Sequence, residues 1–211
     1  MKPRPYYPLF ADLRGCRCLV IGGGMVAQRK VTALLGYGAQ VTVISPTVTA
    51  RLAAYARRGK IRHVARRFQP SDVEAAWLVY AATDDQAINE RVFRTARRLR
   101  IFTNVVDQPA LCSFIAPAVF RRGPMTVAVS TGGASPSLAK KVRDDLKLMV
   151  GADYVPMLRL LAGLREAAKR ALPSYADRKR YFDRLVHGNV FRLLRSGKRR
   201  QARREALALL H

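Results

Sequence analysis

The sequence predicts an α/β fold: a parallel sheet covered by helices, then a small α/β segment, then a helical C-terminal domain. Three observations predict it. The first 106 residues alternate short β-like runs with helical ones, the rhythm of a parallel sheet with crossover helices. The apolar run Leu19-Val20-Ile21 stops at Gly22-Gly23-Gly24 and a helical pattern follows at once. Beyond Gly151 every periodic stretch is helical, led by an apolar stripe of Met157, Leu161, Leu164, Ala168 and Leu172 at steps of three and four.

Taken in order, residues 16–21 read as the first strand and 25–36 as a helix closed by Gly36 and Gly38. Within the glycines lies G-x-G-x-x-A, formed by Gly22, Gly24 and Ala27. Gly22 permits a tight turn, Gly24 lets backbone N–H groups approach a pyrophosphate, and Ala27 lets helix pack on strand. Because strand, turn and helix all flank it, the sheet is expected to be Rossmann-type, with a nucleotide's phosphates at the helix N-terminus. Residues 40–44 form a second strand ended by Ser45-Pro46, 49–58 a helix stopped at Gly59, and 61–65 a third strand. Ser71 and Glu74 have the spacing of a capping box. Strand 78–82, helix 86–99 and strand 101–106 complete the sheet. Residues 114–120 and 125–130 are strand-like around Arg122-Gly123-Pro124. Ser135 and Pro136 then suit the N-cap and first turn of a helix reaching about 150. Pro173-Ser174 ends the striped helix, and 178–186, 190–194 and 203–210 are further helical pieces. The expected domains are a nucleotide-binding domain over 1–113, a dimerisation segment over 114–150 and a helical domain over 151–211.

Composition narrows the function. Of 211 residues 49% are hydrophobic, enough for a real core, yet no apolar run is long enough to span a membrane. The N-terminus is basic and proline-broken and lacks an apolar signal segment, so export is not expected. Cys16, Cys18 and Cys112 have no Cys/His partners at metal-ligand spacing, so no metal site is expected and reduced thiols in a cytoplasmic protein are. The net charge is +25, and the three segments carry +11, +4 and +10. Such an excess attracts polyanions, whether nucleic acid, anionic lipid or a small substrate rich in carboxylates. Lys198-Arg199-Arg200-Gln201-Ala202-Arg203-Arg204 comes with no nucleic-acid fold signature, so it is read as a solvated helix face, with no nucleic-acid or membrane partner expected.

The residues that carry chemistry fall at strand ends. After the second strand, where an NAD site usually presents a carboxylate to the ribose, the chain reads Ser45-Pro46-Thr47, with no acid. Thr83, in Ala82-Thr83-Asp84-Asp85, puts a hydroxyl beside the cofactor crevice, while Asp84 is read first as the cap of the following helix. Asp107 closes Asn104-Val105-Val106-Asp107 at the carboxyl edge of the sheet. Two readings fit it, an acid/base carboxylate and an Asx turn before Pro109. Thr131-Gly132-Gly133 is either a backbone cradle for a carboxylate or a plain glycine turn. His63, His187 and His211 form no triad or metal pattern.

In this order the motifs resemble the precorrin-2 dehydrogenase/sirohydrochlorin ferrochelatase module of siroheme synthases. The resemblance is carried by Pro8-Leu9-Phe10-x-Asp12-Leu13, Val20-Ile21-Gly22-Gly23-Gly24-x-Val26-Ala27-x-Arg29-Lys30, Ala81-Ala82-Thr83-Asp84-Asp85, Asn104-Val105-Val106-Asp107, Ser113-Phe114-Ile115-x-Pro117-Ala118 and Ser130-Thr131-Gly132-Gly133-x-Ser135-Pro136. It covers residues 8 to about 146. It implies NAD-dependent oxidation of precorrin-2 to sirohydrochlorin, followed in bifunctional members by insertion of Fe²⁺, a substrate here, to give siroheme. It also implies a homodimer built through the segment after the Rossmann domain. By position, Met25, Val26, Pro46 and Thr47 match the family's NAD contacts, Asp107 its acid/base aspartate, and Thr131 a serine near the tetrapyrrole. Some members carry a fused methyltransferase that makes precorrin-2; with the chain ending at His211, a separate enzyme is expected to supply it. The alternatives are a dehydrogenase without chelatase activity and a non-catalytic NAD- or nucleic-acid-binding protein.

Overall fold

The computed structural model describes residues 6–210; residues 1–5 of the basic N-terminus, and His211, lie outside the described residues. Two compact units divide the chain. One runs to Ala116 and includes Gly132–Ala134; the other comprises Pro117–Thr131 and the chain from Ser135 onward.

The first unit is built on five parallel strands: β1 (Arg17–Ile21), β2 (Gln40–Ile44), β3 (Ile61–Val64), β4 (Leu78–Ala81) and β5 (Phe102–Val105), in the order β3-β2-β1-β4-β5. Successive residues alternate between two cores, as a strand buried on both faces requires. Cys18, Val20, Val41, Val43 and Tyr80 pack with Ala27, Val31 and Leu34 of α1 (Met25–Leu35) and Leu52 of α2 (Ala50–Arg57). Leu19, Ile21, Ile44, Val79, Ala81 and Val105 pack on the opposite face with Val92 and Ala96 of α3 (Gln86–Arg98). The order of connection reverses between β1 and β4, so a crevice opens beyond their carboxyl ends.

Local signals account for most element ends, with five corrections in this unit and the next. Thr49 caps α2, accepting from the Leu52 N–H at 3.3 Å. Asp85, not Asp84, caps α3, accepting from the Ile88 N–H at 3.1 Å. The expected Ser71/Glu74 box does not form. A 3-10 turn over Pro70–Val73 starts at Gln69 instead, because the Asp72 carboxylate accepts from the Gln69 N–H at 2.7 Å and from both terminal guanidinium nitrogens of Arg66 at 2.6 and 2.9 Å. The strand expected from 114 begins only at Ala118. Residues 112–114 are recruited to the open edge of β5: Ser113 exchanges bonds with both backbone groups of Thr103, the Cys112 thiol reaches Val105, and the Phe114 carbonyl accepts from Asn104. This strap covers an edge strand that would otherwise invite pairing.

In the second unit β6 (Ala118–Arg122) and β7 (Met125–Val129) form an antiparallel hairpin, and α4 (Pro136–Met149) follows, capped by Ser135 as expected. α5 (Tyr154–Ala171), α6 (Tyr175–His187), α7 (Asn189–Arg195) and α8 (Arg199–Ala208) enclose a core of Met157, Leu164, Ala168, Tyr181, Leu185, Val190 and Ala206. α6 and α8 start three and four residues before their expected positions. Ser174 caps α6, and the basic residues from Arg199 are helical. Tyr181 anchors α6 to α8 by donating to the Ala206 carbonyl at 2.9 Å.

Candidate active site

The three glycines do different work. Gly22 has φ +113° and a methyl there would lie 2.2 Å from the Ala82 carbonyl oxygen, so the β1 turn packs directly on the β4 turn. Gly23 is as constrained: a methyl would lie 1.9 Å from the Thr47 carbonyl oxygen. The β2 loop is laid across it, fixed by Thr49 N–H to Gly23 O at 3.0 Å and Thr49 hydroxyl to Gln28 Oε1 at 2.7 Å. Gly24 differs, because nothing lies within 4 Å of a methyl placed there. It is the N-cap of α1, which has no side-chain cap and no acidic residue in its first turn. Open space at the positive end of an uncapped helix fits a pyrophosphate. Met25, Pro46 and Thr47 are exposed around this opening, with Val26 half-buried.

Thr83 is half-buried, and its hydroxyl bonds to Asn89 Oδ1 at 2.9 Å and to the Asp85 carbonyl at 3.0 Å; Asn89 returns a bond to the Thr83 carbonyl. The hydroxyl proton therefore holds the β4–α3 turn rather than pointing outward. Asn89 is a site-shaping residue that sequence reasoning missed; a polar residue on the buried face of α3 was the available signal.

Asp107 stands two residues beyond β5 and is exposed. The Gln108 N–H reaches the Val105 carbonyl at 3.3 Å, closing a turn in which Asp107 adopts φ +59°. Asp is among the few non-glycine residues that adopt this region readily. The carboxylate accepts no hydrogen bond from the described residues, so the turn is a backbone turn rather than an Asx turn and the side chain is left available. In the later loop Gly132 and Gly133 have φ +63° and +89°. The Thr131 hydroxyl donates to the Ser135 carbonyl and accepts from its N–H, both at 3.0 Å, tying it into its own loop. Gly132 and Gly133 group with the first unit and Thr131 with the second.

A family model described as putative NAD(P)-binding matches residues 9–118, more than half of the chain. Models described as the sirohaem biosynthesis protein central region and the sirohaem synthase dimerisation region match 122–148 and 153–210. The chain belongs to the siroheme synthase family. It is 44% identical over 202 residues to the siroheme synthase of Thioalkalivibrio sulfidiphilus, covering 96% of this chain and 41% of that protein. It is 43% identical over 202 residues to that of Methylococcus capsulatus, covering 96% and 43%. The chain thus spans less than half the length of these siroheme synthases. A solved structure titled "SirC, precorrin-2 dehydrogenase" superposes with a TM-score of 0.76 at 27% identity, covering 96% of this chain and all of that one. The dimerisation region of the family falls on the helical tail, C-terminal to the 114–150 segment from which the sequence reading builds a dimer. Among the described residues no helix is long and apolar enough to cross a membrane, and no three His, Cys, Asp or Glu side chains group to hold a metal.

Proposed function

We propose that the chain oxidises precorrin-2 to sirohydrochlorin with NAD as hydride acceptor, within siroheme biosynthesis. The observation that carries this reading is the pairing of an open, uncapped helix N-terminus at Gly24 with an unbonded carboxylate at Asp107, both at the carboxyl edge of one parallel sheet. Gly22, Gly24, Met25, Val26, Pro46 and Thr47 surround the nucleotide, and Thr83 shapes the wall beside it. When bound, the nicotinamide supplies the two-electron acceptor. The oxidation releases a hydride and a proton; Asp107, open to solvent, receives the proton and passes it to water. Thr131, Gly132 and Gly133 belong to the tetrapyrrole side of this reading, as do the family's expected homodimer and a cytoplasmic location. The domain limits 1–113, 114–150 and 151–211 are part of the same proposal.

Anaerobic incubation with precorrin-2 and NAD⁺ tests it. NADH absorbance and the sirohydrochlorin spectrum rise together; no NAD⁺-dependent change overturns the reading, and faster turnover with NADP⁺ overturns the choice of NAD. Fe²⁺ insertion is the second proposed activity, since metallation also needs a group to remove pyrrole N–H protons. Asp107→Ala is expected to depress both activities by 100-fold or more, within the range of about 10²–10⁴ for general acid–base groups. Retention of both removes Asp107 from the chemistry. Loss of only the first confines Asp107 to the oxidation and leaves metal insertion to another group; no Fe²⁺ insertion by the unmodified chain assigns it to dehydrogenation alone.

A further inference from the structure

The buried face of α3 is Asn89, Val92, Thr95 and Ala96. Asn89 is only 4% exposed, and an apolar residue there would pack with no amide to desolvate. The amide spends both its ends on one residue. Its Nδ2 donates to the Thr83 carbonyl at 2.9 Å, and its Oδ1 accepts from the Thr83 hydroxyl at 2.9 Å. The pair allows no other orientation, because the Thr83 carbonyl only accepts and so must face the NH₂ group. The second oxygen near the hydroxyl, the Asp85 carbonyl at 3.0 Å, is an acceptor as well. The single hydroxyl proton of Thr83 is therefore committed within its own turn, and only lone pairs remain to offer. We propose that Asn89 is a positioning residue that sets Thr83 as a hydrogen-bond acceptor at the crevice, and that Thr83 so held takes a hydroxyl of the nicotinamide ribose.

The inference rests on the reading of the Gly24 opening as the pyrophosphate site. Thr83 belongs to the turn packed against the glycines. The Ala82 N–H donates to the Ile21 carbonyl at 2.8 Å, and a methyl on Gly22 would lie 2.2 Å from the Ala82 oxygen and 3.3 Å from the Thr83 nitrogen. In a dinucleotide the groups next to the pyrophosphate are the two riboses, and their hydroxyls are the donors there. β2 flanks β1 on one side and β4 flanks it on the other. The adenosine ribose belongs to the end of β2, where Pro46 and Thr47 stand, which leaves the nicotinamide ribose to the β4 turn. A freely rotating hydroxyl would serve a donor or an acceptor alike; Asn89 removes that freedom.

Binding titrations test this without turnover, using NAD⁺, ADP-ribose and ADP. The first two carry the ribose in question and ADP lacks it. Thr83→Val keeps the side chain's shape and removes the acceptor. It is expected to weaken NAD⁺ and ADP-ribose by about tenfold, the scale of one lost hydrogen bond, and to leave ADP within about twofold. Thr83→Ser restores both ligands. Asn89→Leu weakens the same two ligands and spares ADP, and adds less than about twofold in the Thr83→Val background, because Asn89 acts through the hydroxyl. Thr83→Val reads the acceptor whether or not Asn89→Leu folds. ADP weakened as much as ADP-ribose in Thr83→Val overturns the ribose contact. An Asn89→Leu effect that persists in full in Thr83→Val overturns the role of Asn89. An unmodified chain that binds none of the three nucleotides overturns the pyrophosphate reading itself, whereas binding of all three that Thr83→Val leaves unchanged overturns the present inference alone.

Discussion

At the residue scale the adjacent glycines 23 and 24 separate folding from binding. Gly23→Ala forces a methyl to 1.9 Å from a backbone oxygen of the β2 loop, which cannot swing away as a side chain would. A cost of about 3 kcal/mol is expected, at the top of the overpacking range, seen as a fall in melting temperature. Gly24→Ala meets nothing within 4 Å and has φ −77°, which alanine adopts freely. Its stability should stay within about 0.5 kcal/mol, while NAD⁺ affinity falls tenfold or more by titration, because the methyl occupies the phosphate's approach. Equal loss of stability in both variants contradicts this division. The G-x-G-x-x-A spacing was enough to mark Gly22 and Gly24. It was silent on Gly23, whose constraint comes from a loop some twenty residues later. Asp107 was legible as a strand-end carboxylate. Its left-handed backbone was not, because the turn and strap that set it depend on pairings to Thr103, Asn104 and Val105 that no local pattern encodes.

At the element scale, hydrophobic period and glycine punctuation recovered the five parallel strands and their helices, since each is decided within a dozen residues. The misreadings occurred where a distant or competing partner won. Residues 112–114 are apolar enough for a strand but cap an edge instead, and Asp72 displaces Ser71 and Glu74 because Arg66 lies within reach of its carboxylate. That pair makes a prediction. Arg66, with the Gln69 N–H, holds Asp72 below the ordinary carboxylate range against the opposing effect of burial. A depressed folded pKa contributes stability that is full above the unfolded value, near 3.9, and is lost as the pH falls through the lower folded value. Asp72→Ala should cost about 1–2 kcal/mol at pH 7, the sum of a lost cap and a charge-assisted bond. Its melting curve should converge with that of the unmodified chain as the pH falls well below the ordinary carboxylate range and Asp72 becomes protonated. A difference that persists unchanged at that pH places the cost in packing rather than in the ion pair.

At the scale of the whole molecule, charge is the dominant fact. With 39 basic and 14 acidic residues, most cations have no acidic partner anywhere in the chain. Among the described residues most ion pairs join exposed neighbours a few residues apart, as in Arg94–Glu90, Lys141–Asp145 and Lys169–Glu166, and such pairs contribute little. The excess therefore repels itself in the folded state and draws anions from solution. Two uses of that field lead to opposite results. If it serves a carboxylate-rich tetrapyrrole, kcat/KM for precorrin-2 falls steadily between low and 0.5 M salt while KM for NAD⁺ changes much less, because only the former substrate is a polyanion met by diffusion. If it serves nucleic acid, DNA retention falls with a steep power of salt and competes with precorrin-2 for the same protein. The first outcome is expected, together with a melting temperature that rises by a few degrees over the same salt range as self-repulsion is screened. DNA that displaces precorrin-2 at physiological salt would instead make the basic surface, not the glycine crevice, the centre of the protein's function.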